Sequence, residues 1–138
     1  MHNTLIPELY CSNFERSLEF YTQAAGFSVL YSRPEDRFAF LEREGAQLMI
    51  EQSTQPERTW LVGKVEYPYG RGMNLQIRVS DVKNLYEALK NTNAKVFVPL
   101  EEKWYRSDNT LLGNLQVIVL DPDGYLLRFF QDLGSKNV

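Results

Sequence analysis

Two stretches of this sequence begin in the same way, and the interval between them limits what the chain can fold into. Sliding the sequence by 68 residues lays Ile6 on Asn74, Cys11 on Val79, Ser12 on Ser80 and Asn13 on Asp81, with no gap. At both places a period-two run, the signature of a strand, gives way to a capped helical pattern. In the first copy, Leu5, Pro7 and Leu9 alternate with Ile6, Glu8 and Tyr10. Ser12 or Asn13 then caps SNFERSLEFYTQAAGF, with Glu15 three residues after Ser12 as in a capping box and Gly26 closing the end. Phe14, Leu18, Tyr21 and Ala25 form one stripe of that helix. FSVLYSR, RFAFLERE and AQLMIEQ follow as short strands, separated by turns at Pro34 and Glu44-Gly45. The second copy has MNLQIRVS, then a helix capped by Ser80 or Asp81 and carrying Val82, Leu85, Tyr86 and Leu89. The strands KVFVPLEEKWYR, LLGNLQVIVL and YLLRFFQ complete it. Each copy reads βαβββ, over residues 1–52 and 73–138. Residues 53–72, with two prolines, three glycines and no sustained period, connect them. Neither half is large enough to bury a sheet alone. The expected fold class is therefore α+β: two tandem βαβββ modules with curved, incompletely closed mixed sheets and a concave cavity.

Composition narrows the function. Hydrophobic residues at 43% and charged residues at 24% suit a packed domain, and a net charge of -3 with interspersed Lys and Arg leaves no basic stripe for nucleic acid. No apolar run approaches the roughly 20 residues of a membrane span. The one cysteine, Cys11, has no intramolecular partner and is expected to be an inert core residue. MHNTLIPELY lacks the apolar region of a signal peptide, so a cytoplasmic location is expected. YPYGRG precedes a strand and no GKS or GKT follows it, so its glycines read as turn residues. Small molecules and proteins remain as partners.

Alternation along the strands sorts side chains by face. With the helices covering one face, Leu5, Leu9, Cys11, Leu75, Ile77 and Val79 belong there. Ile6, Glu8 and Tyr10 share the other face with Asn74, Gln76 and Arg78, and by the same count Gln47, Met49 and Glu51 are joined by Leu126, Arg128 and Phe130. If these faces converge, they line a pocket of aromatic, amide and charged groups. Arg128, a permanent charge within LLRFF, needs a partner there. It either clamps a ligand oxygen or pairs with Glu51, and the two can coexist. With Arg128 beside it the Glu51 pKa should fall, which disfavours a general base. Trp60, and Trp104 and Tyr105 of KWYR, either stack on a ligand or simply pack. Lys103 and Arg106 read as a solvated edge.

The tandem modules, the SNFERSLEFYTQAAGF helix and the DPDGYLLRFFQ ending together resemble the vicinal oxygen chelate superfamily over residues 4 to 133. That superfamily holds glyoxalase I, extradiol dioxygenases, fosfomycin-resistance enzymes and bleomycin-resistance proteins. The resemblance implies incomplete barrels that pair to enclose the cavity. Metal-dependent members carry ligands on the first and last strands of each module, positions that fall here on Ile6, Glu51, Asn74 and Arg128. An isoleucine, a carboxylate, an amide and a guanidinium do not make a catalytic metal site. The one histidine, His2, lies at the N-terminus, where fraying is expected, so neither a metal nor another cofactor is expected. Pro7 and Leu9 in IPELYCSNF, the LMIEQ strand and the LLRFFQ ending resemble the bleomycin-resistance branch, whose members sequester a drug unchanged as dimers with crevices at the interface. The expected function is metal-free binding of a small molecule, an antibiotic among the candidates, by a homodimer. The expected ligand-binding residues are Glu8, Tyr10, Glu51, Asn74, Gln76, Trp104, Tyr105 and Arg128, with no catalytic residue. The alternatives are a metal-dependent glyoxalase-like lyase, isomerase or dioxygenase, which needs Glu8 and Glu51 on one centre, and a regulatory or structural dimer.

Overall fold

Both helices start where a short polar side chain replaces a missing helical acceptor. Asn13 Oδ1 accepts from the N–H of Arg16 at 3.0 Å, and Asp81 Oδ1 accepts from that of Asn84 at 3.0 Å. The caps are thus Asn13 and Asp81, not the serines before them. Each such cap stabilises its helix by about 1 kcal/mol. In the computed structural model, which describes residues 2–54 and 56–138, the order is β1 (Glu8–Tyr10), α1 (Phe14–Glu19), β2 (Ser28–Arg33), β3 (Phe38–Arg43) and β4 (Ala46–Glu51). After the connecting segment come β5 (Asn74–Arg78), α2 (Val82–Asn91), β6 (Lys95–Ser107), β7 (Thr110–Leu120) and β8 (Leu126–Asn137). A π-helical turn, Phe20–Ala24, extends α1 and short 3-10 turns cover Pro34–Asp36 and Pro56–Arg58. β8 runs well past the predicted end at Gln131.

The repeat is reproduced in space. One sheet has the order β1-β4-β3-β2 and the other β5-β8-β7-β6. In each, the first strand pairs in parallel with the last, as in Leu9↔Ile50 and Ile77↔Phe129, and the remaining pairs are antiparallel. The sheets are mixed and neither closes into a barrel.

One core holds both modules. Leu9, Tyr21, Leu41 and Ile50 of the first meet Ile77, Leu89, Leu127 and Phe129 of the second in a single buried cluster. Each fully buried aliphatic or aromatic side chain contributes about 1.5–3 kcal/mol, so each module supplies burial that the other lacks. Cys11 is buried in this cluster and burial pushes its thiol up to about 12. Leu5 departs from the expected alternation: it precedes β1, unpaired, and is 81% exposed.

Polar latches cross the same boundary in both directions. The Ser12 N–H donates to Asp123 Oδ2 at 2.9 Å, its hydroxyl donates to Asp123 Oδ1, and Arg16 reaches that oxygen at 3.3 Å. In the pseudo-equivalent place the Ser80 N–H donates to Glu44 at 3.1 Å. Acids from the last hairpin turn of each module thus meet the strand-to-helix junction of the other. The serines, offered by the sequence as caps alongside Asn13 and Asp81, serve here as latch donors.

Candidate functional site

The pairing register decides which side chains face away from the shared core. In the first sheet, Glu8 lies opposite Met49, which lies opposite Phe40, which lies opposite Tyr31; one residue pair further, Tyr10, Glu51, Phe38 and Arg33 form the next row. Of these rows, Glu8, Met49, Tyr31, Glu51, Phe38 and Arg33 line a hollow of about 410 Å3, bounded also by Asp36 and by Arg58 and Trp60 of the connecting segment. The volume lies within the range of small-molecule pockets. Trp60 is held over this face by its own N–H, which donates to Tyr10 Oη at 3.2 Å.

The charges in the hollow are unequally satisfied. Arg33 pairs with Asp36 at 3.3 Å and lies over the Phe38 ring at 4.0 Å, and Arg58 lies over Trp60 at 4.9 Å. The carboxylates of Glu8 and Glu51 receive no hydrogen bond from any described residue. Burial raises the Glu8 pKa, the neighbouring Glu51 charge raises it further, and Arg33 only partly offsets this. Burial likewise raises Glu51, with Arg33 opposing and Asp36 adding to the rise. Two half-buried carboxylates that lack donors favour a ligand bearing a positive charge or several N–H or O–H groups.

The second sheet also turns a face away from the core, bearing Asn74, Gln76, Arg128, Gln116 and Tyr105. Asn74 and Gln76 are exposed, and other polar side chains of this face bond to one another. Gln116 Nε2 donates to Glu101 Oε2 at 2.9 Å and to Tyr105 Oη at 2.8 Å, and Arg128 Nη2 donates to the same phenol at 3.4 Å. Gln116 is 2% exposed, and its carbonyl oxygen accepts no hydrogen bond from the described residues.

Several expectations require correction. The faces do not converge within the chain, because the shared core separates them. Glu51 and Arg128 therefore form no ion pair: Glu51 has Arg33 near it and Arg128 has Tyr105, and the Glu51 pKa rises instead of falling. Moreover, the position in the first module that matches Arg128 is Met49, since Glu8↔Met49 and Gln76↔Arg128 are pairs related by the 68-residue slide. Trp104 and Tyr105 also separate. As adjacent residues of β6 they point to opposite faces: Tyr105 lies opposite Leu112 on the outward face and Trp104 opposite Gly113 on the helix side. There Trp104 donates to Glu102 at 2.8 Å and carries Lys136 over its ring at 4.0 Å. Tyr31, Arg33 and Phe38 are walls that sequence reading missed. Their alternation was visible, but their face follows from register across a β-bulge between Val29 and Tyr31.

A metal of the kind implied by the resemblance does not fit these residues. The matching positions are Ile6, Met49, Asn74 and Arg128, and no group of three or more His, Cys, Asp or Glu converges among the described residues. A second depression of about 380 Å3 lies where α1, α2 and the connecting segment meet, but its cations are engaged: Arg16 with Asp123, and Lys95 with the Tyr67 hydroxyl at 3.3 Å.

Paired βαβββ modules packed through their helical sides, each turning a strand face outward, define a single class of α+β fold. The chain belongs to the Glyoxalase/Bleomycin resistance protein/Dioxygenase superfamily, whose profile matches residues 3–129. TioX from Micromonospora sp. ML1 superposes with a TM-score of 0.72 over 96% of this chain and 100% of that one, at 22% identity. A protein of unknown function from Agrobacterium tumefaciens str. C58 gives 0.70 over 96% of each chain, also at 22% identity. These two are likenesses of fold. A superfamily member from Vibrio splendidus 12B01 is 33% identical over 93% of this chain and 97% of its own, with a TM-score of 0.41, too low for a structural argument. No curated protein matches the chain.

Proposed function

We propose that the chain binds and sequesters a small molecule without transforming it, in the manner of the bleomycin-resistance branch, and that its ligand is cationic or rich in hydrogen-bond donors. The observation that carries this reading is the Glu8 and Glu51 pair, exposed to the hollow without donors and walled by Tyr31, Phe38 and Trp60. Calorimetric titration at neutral pH with a panel of cationic aromatic antibiotics tests it. Glu51→Gln should weaken binding by about tenfold while leaving the fold intact, because a charge-assisted hydrogen bond is worth about 1.5–3 kcal/mol. A panel that binds equally well to wild type and to the Glu8→Gln, Glu51→Gln double variant sinks the reading.

The working unit in this reading is a homodimer. The first hollow is acidic, and the outward face of the second sheet carries Arg78, Arg128 and the unpartnered Gln116 oxygen. Exposed Tyr31, Trp60, Tyr105 and Leu112 border the two faces. A two-fold axis can lay each hollow against the second sheet of the other copy, closing two identical crevices. Sedimentation equilibrium should report a dimer that Arg128→Glu weakens; a wild-type monomer at high micromolar concentration removes this part.

One observation favours the second reading, a metal-dependent lyase, isomerase or dioxygenase: Glu8 and Glu51 do lie on one centre. Two carboxylates fall short of the three protein ligands usual in such sites. Elemental analysis that finds a stoichiometric transition metal, lost in Glu51→Gln, would favour the enzyme.

A further inference from the structure

Phe40 faces the hollow by register, opposite Met49, yet it is only 1% exposed. The N-terminal segment covers it. The His2 imidazole stacks on the Phe40 ring at 4.7 Å between centroids and 24° between planes, and lies 6.0 Å from the Tyr31 ring. Asn3 anchors the segment: its N–H donates to Gln47 Oε1 at 2.6 Å and its side-chain amide donates to the Gly45 carbonyl at 2.7 Å. Tyr31 is at the same time a wall of the hollow. The row Glu8, Met49, Phe40, Tyr31 crosses the sheet, so this strap rests on the far end of a row whose near end carries a carboxylate.

We propose that His2 and Asn3 form a displaceable plug that sets the length of ligand the hollow admits. A flat aromatic group can make the stack on Phe40 that the imidazole makes, so displacement exchanges one ring contact for another. The Asn3 anchors lie at or near the surface, where water replaces them at small net cost. With the plug released, the site runs from the Glu8 carboxylate to the Phe40 ring and takes an extended planar cation; with the plug seated, it takes a compact one. This rests on the reading of the hollow as a cation site.

Ethidium, a planar aromatic monocation, and tetramethylammonium, a compact one, separate the two ideas. In the His2→Ala, Asn3→Ala double variant, ethidium should bind about tenfold tighter than in wild type, with tetramethylammonium unchanged. In wild type, the ring-current shift of the His2 Hε1 proton should collapse as ethidium saturates the site. Equal ethidium affinity in wild type and double variant, with loss of affinity in Glu51→Gln, overturns the plug and leaves the binding reading standing. Binding of neither cation to either protein overturns both. A His2 Hε1 proton at its random-coil position in the free protein overturns the plug alone.

Discussion

Glu51 shows how far a residue's chemistry depends on which neighbours the fold delivers. Beside Arg128 it would be an ordinary low-pKa carboxylate; partly buried, with Arg33 only partly opposing and Asp36 adding to the rise, it is held above the usual range. The sign follows for binding. A raised pKa means that protonation begins at a higher pH than for a free glutamate, so affinity for a cation should fall as pH drops toward that range. Titrating Kd from pH 7 to pH 4.5 should show the loss, and Glu8→Gln should shift its onset to lower pH by removing one of the two raised carboxyls. A pH-independent Kd would contradict the assignment of charge. At the same scale, two glycines separate strain from crowding. Gly45 has φ +89° with open space where a Cβ would go, whereas Gly124 has φ +95° and a Cβ there would come 2.5 Å from the Pro68 Cα. Gly45→Ala should cost about 1 kcal/mol, as expected for a left-handed residue with room around it. Gly124→Ala should cost more than about 2 kcal/mol, because backbone must also move. Urea denaturation of the two variants gives the comparison.

At the scale of elements, β6 is the strand whose sequence and position disagree most. It is an edge strand of thirteen residues, and its pairing with β7 shifts between Val96 and Val98 and again between Val98 and Glu101, where Pro99 sits. A proline is tolerated at an edge or a bulge because it has no N–H to offer the ladder. Each irregularity reverses the alternation, so the two cancel and Trp104 keeps the helix-side parity of Val96. There it depends on Gly113: a Cβ at that position would come 2.6 Å from the Trp104 ring. Gly113→Ala should therefore displace the indole and destabilise the protein by about 1–3 kcal/mol, with a change in tryptophan emission. Because Trp60 lies in the other module's hollow, ligand affinity should be untouched. A loss of affinity equal to that of Glu51→Gln would return Trp104 to the site.

For the whole molecule, packing the two modules through their helical sides leaves both outward faces uncovered and puts Asp121 at the boundary. Asp121 Oδ2 accepts from the Tyr21 hydroxyl at 2.7 Å, Oδ1 accepts from the N–H groups of Asp123 and Tyr125, and burial nevertheless raises its pKa to about 6. A carboxyl whose pKa is higher folded than unfolded holds its proton more tightly in the folded state. Its favourable contribution is full below the unfolded pKa and is lost as pH rises through about 6. Stability should therefore decline between about pH 4 and pH 6 by on the order of 3 kcal/mol from this group. Asp121→Asn should flatten that slope in denaturant melts taken across the interval. An unchanged slope would place the ionisation elsewhere.

Most of the architecture was legible before any coordinates. The 68-residue repeat, the period-two runs and the polar residues before each helix are local signals, and local signals report backbone state directly. They predicted two βαβββ modules and put Leu9, Ile77 and Val79 on the buried side. They also brought Glu8, Tyr10 and Glu51 to one face. What they could not report was which face meets which. A strand's alternation assigns sides but not neighbours, and the one bulge in β2 reverses it, so Tyr31 and Arg33 were passed over. The partner of Arg128 was likewise undecidable from sequence, because an ion pair depends on distance across the fold. The sequence by itself determined the modules, their strands and their polar and apolar sides. Only tertiary packing decided that the helical sides join in one core, and so that Glu51 and Arg128 stand on opposite outward faces of the same chain.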